Sequence, residues 1–206
     1  MVFDEPSHTY KVDGIILPSI TEICSPITYS KFQVGSAVVE QAAYRGTMVH
    51  QMTADYDRGF IDDDYEVETE LALYLQAWMN FCHDYQPSWE YAEVQLACNF
   101  CAGTVDRIGL IDGKRIIADI KTIQSIDRPA KVSAATQIYG YSLLAGENDI
   151  DGINVSDSMI IQLKKDGTYS VYRVGEIEKK YQFHAVDIFD MAFTIHSIAK
   201  GDKTIE

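Results

Sequence analysis

The first 30 residues have the pattern of a small hairpin followed by a short helix. Apolar runs on both sides of Asp13-Gly14 predict two strands over residues 8–17, because this residue pair favours a tight turn between antiparallel strands. Glu22 stands three residues after Ser19, which is the spacing of a helix capping box. We therefore expect a helix that starts at Ser19.

Two longer segments have apolar residues at helical spacing. The first covers about 34–57 and ends at Gly59, and the second follows an acidic loop and ends at Pro87. The inward stripe of the first is predicted to contain Val39, Ala42, Gly46, Val49, His50 and Thr53. The second is predicted to pack through Leu71, Leu75, Trp78, Phe81, Cys82 and Tyr85.

Strand-like runs follow at about 89–97, 103–111 and 114–122. Asp112-Gly113 joins the last two and is a second strong signal for a two-residue hairpin turn. These three runs are predicted to form the middle of the molecule.

The last third of the chain alternates again between helical and strand patterns. A helix is predicted at about 132–146, and a further hairpin is predicted through 158–163 and 168–174. One long amphipathic helix then closes the chain. Its inward side is predicted to contain Tyr181, Ala185, Ile188, Ala192, Ile195 and Ile198.

This order of elements predicts an α/β fold with a central mixed, largely antiparallel β-sheet flanked by α-helices. A chain of 206 residues fits one domain, because single cores commonly reach about 150 to 250 residues before a chain divides. Within residues 1–206 we distinguish an N-terminal hairpin and short helix at 1–30, a core at 34–147, and a C-terminal hairpin and helix at 148–206.

Net charge, hydropathy and cysteine content limit the kinds of partner and the cellular location that we expect. A net charge of -14 gives the molecule a field that repels polyphosphates, although residues 107–131 contain six basic and three acidic side chains. No secretory signal and no run of 18 apolar residues is found, so we expect a soluble, cytoplasmic protein without membrane association. The cysteines are expected to be reduced thiols, and they are Cys24, Cys82, Cys98 and Cys101.

The most informative segment is the predicted hairpin around Asp112-Gly113. Asp106 lies six residues before Asp112 and Asp119 lies six after Gly113, so a tight turn places the two aspartates opposite each other. Their Cβ atoms would then be about 4.5–5.5 Å apart. Lys121 projects from the same face as Asp119, because side chains alternate along a strand.

Opposed carboxylates repel each other, so this arrangement is unfavourable unless a cation lies between them or one is protonated. Oxygen ligands of this kind suit Mg²⁺ or Mn²⁺. A neighbouring lysine suits a reaction in which negative charge develops on a phosphate. The alternative is a solvated edge hairpin in which Lys121 is a salt-bridge partner of the aspartates, and spacing alone leaves both open.

Further motifs stand in a consistent order around this hairpin. An Asp on one strand and Asp-x-Lys on the next occur in residues 103–109 (GTVDRIG) and 118–122 (ADIKT). In this form they resemble the core of PD-(D/E)XK nucleases, in the RecB-like and phage exonuclease-like branch. Residues 45–50 (RGTMVH) are similar to the helical glycine-to-histidine motif of that branch, and Gln137 with Tyr141 is similar to its glutamine-to-tyrosine motif.

The resemblance covers residues 8 to about 145 and implies a restriction-endonuclease-like core. It implies that one or two Mg²⁺ or Mn²⁺ ions bind His50, Glu93, Asp106, Asp119 and the backbone carbonyl of Ile120. Lys121, Asp119, Asp106 and Glu93 would be catalytic. Substrate contacts would come from Gln137, Tyr141, Arg45 and Arg107. No iron–sulfur cluster is expected, because no cysteine follows Cys101.

One position in this set has a competitor. Glu90 precedes Glu93 by three residues and would face the opposite side of the same strand, and we prefer Glu93 as the acidic residue of the site.

The resemblance implies a metal-dependent DNA nuclease, acting as an exonuclease on ends or single strands in phage or mobile-element recombination or repair. DNA would be its main partner, with phage or host recombination proteins as further ones. A second reading stays open: a catalytically inactive nuclease fold that serves as an acidic binding or inhibitory module and mimics DNA. A sugar or phosphoester hydrolase that uses the same carboxylates is a third.

Overall fold

The computed structural model describes residues 1–4, 9–27, 36–61, 65 and 67–200. These residues contain two sheets. The first is antiparallel, in the order β1-β2-β3, and consists of β1 (Val2–Asp4), β2 (Thr9–Val12) and β3 (Ile15–Leu17). Asp13 and Gly14 both have positive φ between β2 and β3, as expected for the predicted turn. Residue 8, where the sequence pattern starts this hairpin, lies outside the described residues.

The central sheet contains five strands in the order β4-β5-β6-β7-β8. They are β4 (Ser88–Ala97), β5 (Ala102–Ile111), β6 (Lys114–Lys121), β7 (Met159–Leu163) and β8 (Tyr169–Arg173). Only β6 and β7 pair in parallel, and the other neighbours are antiparallel. The predicted fold class, an α/β fold with a mixed and largely antiparallel sheet, is confirmed.

The described helices are α1 (Ile20–Ile23), α2 (Ser36–Asp57), α3 (Ala72–Tyr85), α4 (Arg128–Glu147), α5 (Val174–Tyr181) and α6 (Ala185–Lys200). The Ser19 hydroxyl caps α1 by accepting a hydrogen bond from the Glu22 amide at 2.9 Å. Asp127 caps α4 in the same way through the Ala130 amide, at 3.1 Å. This cap makes α4 begin four residues before its predicted start at 132.

Helices cover both faces of the central sheet. One hydrophobic cluster joins α1, α4, α5 and α6 to strand residues such as Ile117 and Ile160. A second joins α2 and α3 to the alternate strand residues, including Ala118 and Ile161. Because neighbouring strand residues belong to different clusters, the sheet is buried on both sides. No helix in the described part of the chain is both long and apolar enough to cross a membrane.

The predicted C-terminal helix is wrong in its continuity and in part of its inward face, although Ala185 and Ala192 are buried as predicted. Gln182 has a φ of 56°, which ends α5, and α6 starts separately at Ala185. The second helix buries Phe189 and Ala192, while Ile195 is 52% and Ile198 70% exposed. The inward stripe of α2 also needs a correction, because Val39 is exposed.

Candidate metal centre

Three carboxylates lie in a row across three adjacent strands. The β4–β5 register places Glu93 opposite Asp106, between residue pairs on both sides. The β5–β6 register pairs Arg107 with Ala118, so the next positions, Asp106 and Asp119, face each other. The structure thus has the predicted opposition of the two aspartates and adds Glu93 on the far side of Asp106.

His50 reaches this row from the adjacent helix α2. Its Nδ1 atom lies 3.2 Å from a Glu93 carboxylate oxygen and 3.4 Å from Asp106 Oδ1. One ligand atom from each of the three residues falls within a mutual distance of 4.8 Å. His50, Glu93 and Asp106 can therefore hold a metal ion. The helical turn that carries His50 is fixed by Val49, which is fully buried in the second hydrophobic cluster.

Asp119, which faces Asp106 on the neighbouring strand, has an unsatisfied carboxylate oxygen. Its Oδ1 accepts a hydrogen bond from Lys121 Nζ at 2.9 Å, whereas Oδ2 is buried and has no hydrogen-bond partner among the described residues. Leaving a buried polar atom unpaired costs about 1–3 kcal/mol, and more when the group is charged. A cation bound by Asp119 Oδ2 would remove this cost, so the residues present fit a metal ion.

Asp106 is oriented by the backbone of the neighbouring strand. The Ile120 amide donates a hydrogen bond of 2.6 Å to Asp106 Oδ2, which leaves Oδ1 on the side of His50. The Ile120 side chain points away from the site into the second hydrophobic cluster. The role of its carbonyl as a metal ligand stays a prediction.

Burial and neighbouring charges shift the pKa values of the side chains in this cluster. Burial raises the pKa of Asp106, and the nearby charges of Glu93 and Asp119 raise it further. The positive charge of His50 lowers it, and the resulting pKa is about 7. Burial alone would lower the pKa of His50, but the carboxylates of Asp106 and Glu93 raise it to about 9. The cluster therefore carries more protons than isolated side chains would at neutral pH.

The cluster opens into a cavity of about 530 Å³. Lys121 lies in it between Asp119 and Gln137, whose side-chain oxygen accepts a hydrogen bond from Nζ at 3.4 Å. Burial would lower the pKa of Lys121, but Asp119 and Asp106 raise it, so the lysine is a cation. The cavity is lined by Phe3, Tyr10, Ser19, Thr21, Gly46, Thr47, His50, Gln51, Glu93, Gln95, Gly103, Thr104, Asp106, Asp119, Lys121, Gln137 and Tyr141.

The predicted substrate contact at Arg107 is wrong. Its side chain is completely buried, and its guanidinium donates to Asp57 Oδ2 at 2.6 Å and to Glu93 Oε1 at 2.9 Å. It also donates to the hydroxyl of Thr53 and to the backbone oxygen of Asp106. With its donors satisfied inside the protein, Arg107 holds Glu93 in place and cannot contact a substrate.

The other predicted residues divide between the cavity and its surroundings. Gln137 and Tyr141 line the cavity, and their role as substrate contacts stays a prediction. Arg45 does not line it, and its role stays a prediction. Glu90 forms an ion pair with Arg115 at 2.9 Å and has no part in the cluster, which supports the preference for Glu93.

Several residues of the site are not marked by any sequence motif. Tyr10 and Thr104 share a hydrogen bond of 2.8 Å at the cavity wall, although they are 94 residues apart in the chain.

Glu93 has a φ of 54°, a left-handed conformation that costs a residue with a side chain about 1–2 kcal/mol. Such strain is typical of functional sites, where neighbouring contacts such as the Arg107 ion pair maintain it.

Comparison of the sequence with known protein families and with curated proteins finds no match.

Proposed function

We propose that this protein is a Mg²⁺- or Mn²⁺-dependent phosphodiesterase that cleaves DNA. The observation that carries the proposal is the row of Glu93, Asp106 and Asp119 beside a lysine, with a buried oxygen of Asp119 left without a partner. His50 completes the ligand set. A purely structural site has no need for Lys121 at 2.9 Å from one of the ligands.

The ligand types favour these two ions. Carboxylate oxygens are the preferred ligands of Mg²⁺ and Mn²⁺, and an imidazole nitrogen is more readily accepted by Mn²⁺. We propose that one or two ions bind here.

The ion, when bound, would make a water molecule more acidic and polarise the scissile phosphate. Lys121 would hold that water through its ammonium group and offset the negative charge that grows on the phosphate. Gln137 keeps the ammonium aimed into the cavity, since its oxygen accepts from Nζ. Arg107 has no direct part in the reaction and keeps Glu93 in its strained conformation.

DNA as substrate and exonuclease action on ends or single strands belong to the same proposal. They are supported by the resemblance of the motif order, which also suggests a phage or mobile-element recombination or repair setting. The lining of the cavity is compatible with a phosphodiester, because cationic Lys121 stands next to the neutral hydrogen-bonding side chains of Gln137 and Tyr141.

The experiment compares wild type with Asp119→Asn on end-labelled linear DNA in Mg²⁺, Mn²⁺ or EDTA. Wild type is expected to degrade the DNA only with metal. The variant is expected to lose cleavage and to retain DNA binding in a gel-shift assay, because the substitution removes a metal ligand and preserves the side-chain volume. Cleavage by the variant at the normal rate would contradict the mechanism.

The net charge of -14 favours one competing function, an acidic binding or inhibitory module without catalysis. The same experiment separates the two. A folded wild-type protein that neither cleaves nor binds DNA at low salt would support the acidic module and overturn the nuclease.

A further inference from the structure

Three basic side chains collect around two tyrosines at the start of α4. The Lys131 ammonium lies 3.9 Å from the centre of the Tyr172 ring, and the Arg128 guanidinium lies 5.1 Å from the centre of the Tyr181 ring. Lys180 approaches the same Tyr181 ring at 5.6 Å. We call Arg128, Lys131, Lys180, Tyr172 and Tyr181 the cation–tyrosine patch.

The cations of this patch are available for an external anion. Arg128 and Lys180 are exposed and Lys131 is half-buried. None of the three forms a salt bridge with a described residue, in contrast to Lys114, Arg115 and Arg107. Packing on an aromatic ring fixes the direction of a cation without neutralising it.

Two acidic residues that neighbour the patch in sequence are already engaged. The Asp127 carboxylate accepts the Ala130 amide at the start of α4. The Glu178 carboxylate accepts the Ala185 amide at the start of α6. Both therefore serve as helix caps, and neither forms a salt bridge with the cations of the patch.

The sheet register connects the patch to the metal centre. Asp119 pairs with Ile160 on β7, and Ile160 pairs with Tyr172 on β8. Adjacent strands are about 4.8 Å apart, so Tyr172 stands roughly 10 Å from Asp119. A DNA strand advances about 3.4 Å per nucleotide along the axis of a duplex and more in an extended single strand, so the separation corresponds to about one to three nucleotides.

The side chain of buried Gln162 fixes the spacing between the patch and the metal centre. Gln162 pairs with Lys121 across β6 and β7, and its side-chain oxygen accepts the Tyr172 hydroxyl at 3.2 Å. Its amide nitrogen donates to the backbone oxygens of Ile123 and Gln124, in the segment that leads from β6 to α4. The patch and the catalytic strand are thus held at a fixed spacing.

We propose that the cation–tyrosine patch binds the phosphodiester backbone of the DNA strand about one to three nucleotides from the bond that is cleaved. This rests on the proposed function. It explains how a protein with a charge of -14 binds a polyanion: the patch supplies a local cationic surface at the correct distance from the reacting phosphate. The contact is to the backbone, so it carries no base preference.

The test compares two triple variants with the same change in net charge. The first is Arg128→Gln/Lys131→Gln/Lys180→Gln. The control, Lys11→Gln/Lys164→Gln/Lys165→Gln, removes three cations that lie outside the patch and form no salt bridge with a described residue. DNA affinity is measured by fluorescence anisotropy against salt concentration, with an Asp119→Asn background to prevent cleavage.

The patch variant is expected to bind about tenfold or more weakly at low salt, with a salt slope smaller by about two, because about 0.7 of a counterion is released per phosphate contact on a single strand. The control is expected to change far less. Hydrolysis of bis-p-nitrophenyl phosphate, which is too small to reach the patch, should be equal in both variants and in wild type.

Two results would overturn the inference, and they are distinguishable. If the patch and control variants bind DNA equally while wild type binds and cleaves it, the patch is not a backbone site and the nuclease function stands. If wild type neither binds nor cleaves DNA, both proposals fail together.

Discussion

Arg107 joins residues from three distant parts of the chain. Its guanidinium meets Asp57 at the end of α2 and Glu93 in the bulged strand β4, and it stacks against Trp78 of α3 at 5.2 Å. Burial raises the pKa of Asp57, and the charge of Arg107 and its hydrogen bond to this carboxylate oppose that increase. We regard Arg107 as the positioning residue of the site.

Replacing Arg107 by Met should therefore destabilise the protein strongly. The substitution leaves the carboxylates of Asp57 and Glu93 without their cation, and breaking a buried pair costs about 3–5 kcal/mol. Arg115→Met, which breaks the more exposed pair with Glu90, should cost much less, because solvent-exposed ion pairs contribute little to stability. Urea unfolding followed by circular dichroism measures both. Equal losses of unfolding free energy in the two variants would show that the buried ion pairs of Arg107 stabilise the fold no more than the exposed pair of Arg115.

Glu93 and Glu90 form a matched pair for metal binding. They lie three residues apart on β4, but only Glu93 belongs to the carboxylate row. Glu93→Gln should weaken Mn²⁺ binding by at least about tenfold, since it removes a ligand charge, whereas Glu90→Gln should leave it unchanged. Isothermal titration calorimetry with Mn²⁺ measures the affinity of both variants. A similar affinity in both variants would remove Glu93 from the site.

The difference between these residues shows what can be predicted from the sequence. Alternation along a strand separates Glu93 from Glu90, and counting from the Asp112-Gly113 turn places Asp106 opposite Asp119. Both inferences need only local geometry. The burial of Arg107 depends on Asp57, which is 50 residues away, and no local pattern contains that contact.

At the scale of elements, α4 does the most to connect the fold with the site. Its Gln137 and Tyr141 line the cavity, and its Gly140 lies against α1 and α6. A Cβ atom at Gly140 would come within 2.6 Å of the Phe189 ring and 3.0 Å of Ile20. Glycine is thus required here for close packing of three helices.

Gly140→Ala should destabilise the protein by about 1–2 kcal/mol, because overpacking a core commonly costs 1–3 kcal/mol and alanine recovers part of this through helix propensity. Gly146→Ala, in the same helix, is the control. A Cβ at Gly146 meets nothing within 4 Å, so this change should be neutral or slightly stabilising. Thermal unfolding of both variants checks the prediction. A stabilised Gly140→Ala protein would contradict the packing.

The helices also mark the limit of pattern-based prediction. The start of α4 was missed because its cap, Asp127, precedes the apolar repeat. The C-terminal pattern suggested one helix because its apolar residues continue across the break at Gln182. In α6 the buried face contains Ala185, Phe189 and Ala192, so Ile195 lies outside it although it continues the apolar repeat. An apolar repeat alone does not show which side of such a helix packs against the core.

At the scale of the whole molecule, the carboxylate row is a cluster of negative charge inside an already acidic protein. Metal binding should therefore stabilise the fold. At a concentration of 100 Kd, a ligand specific for the native state contributes about 2.7 kcal/mol, which corresponds to a Tm increase of roughly 5–10 °C for a chain of this size. Differential scanning fluorimetry with Mn²⁺ should show this increase in wild type and Glu90→Gln, and only a small one in Asp119→Asn. An equal increase in all three proteins would indicate nonspecific binding elsewhere.

The proposed nuclease is tested most directly by cleavage of linear and circular DNA, each single- and double-stranded. Wild type and Lys121→Ala are compared in Mg²⁺ or Mn²⁺, with EDTA as the control. We expect metal-dependent loss of linear DNA alone by wild type, and no loss with the variant, because the cation that offsets charge on the phosphate is gone. Equal cleavage by Lys121→Ala, or no cleavage of any substrate by folded wild type, would contradict it.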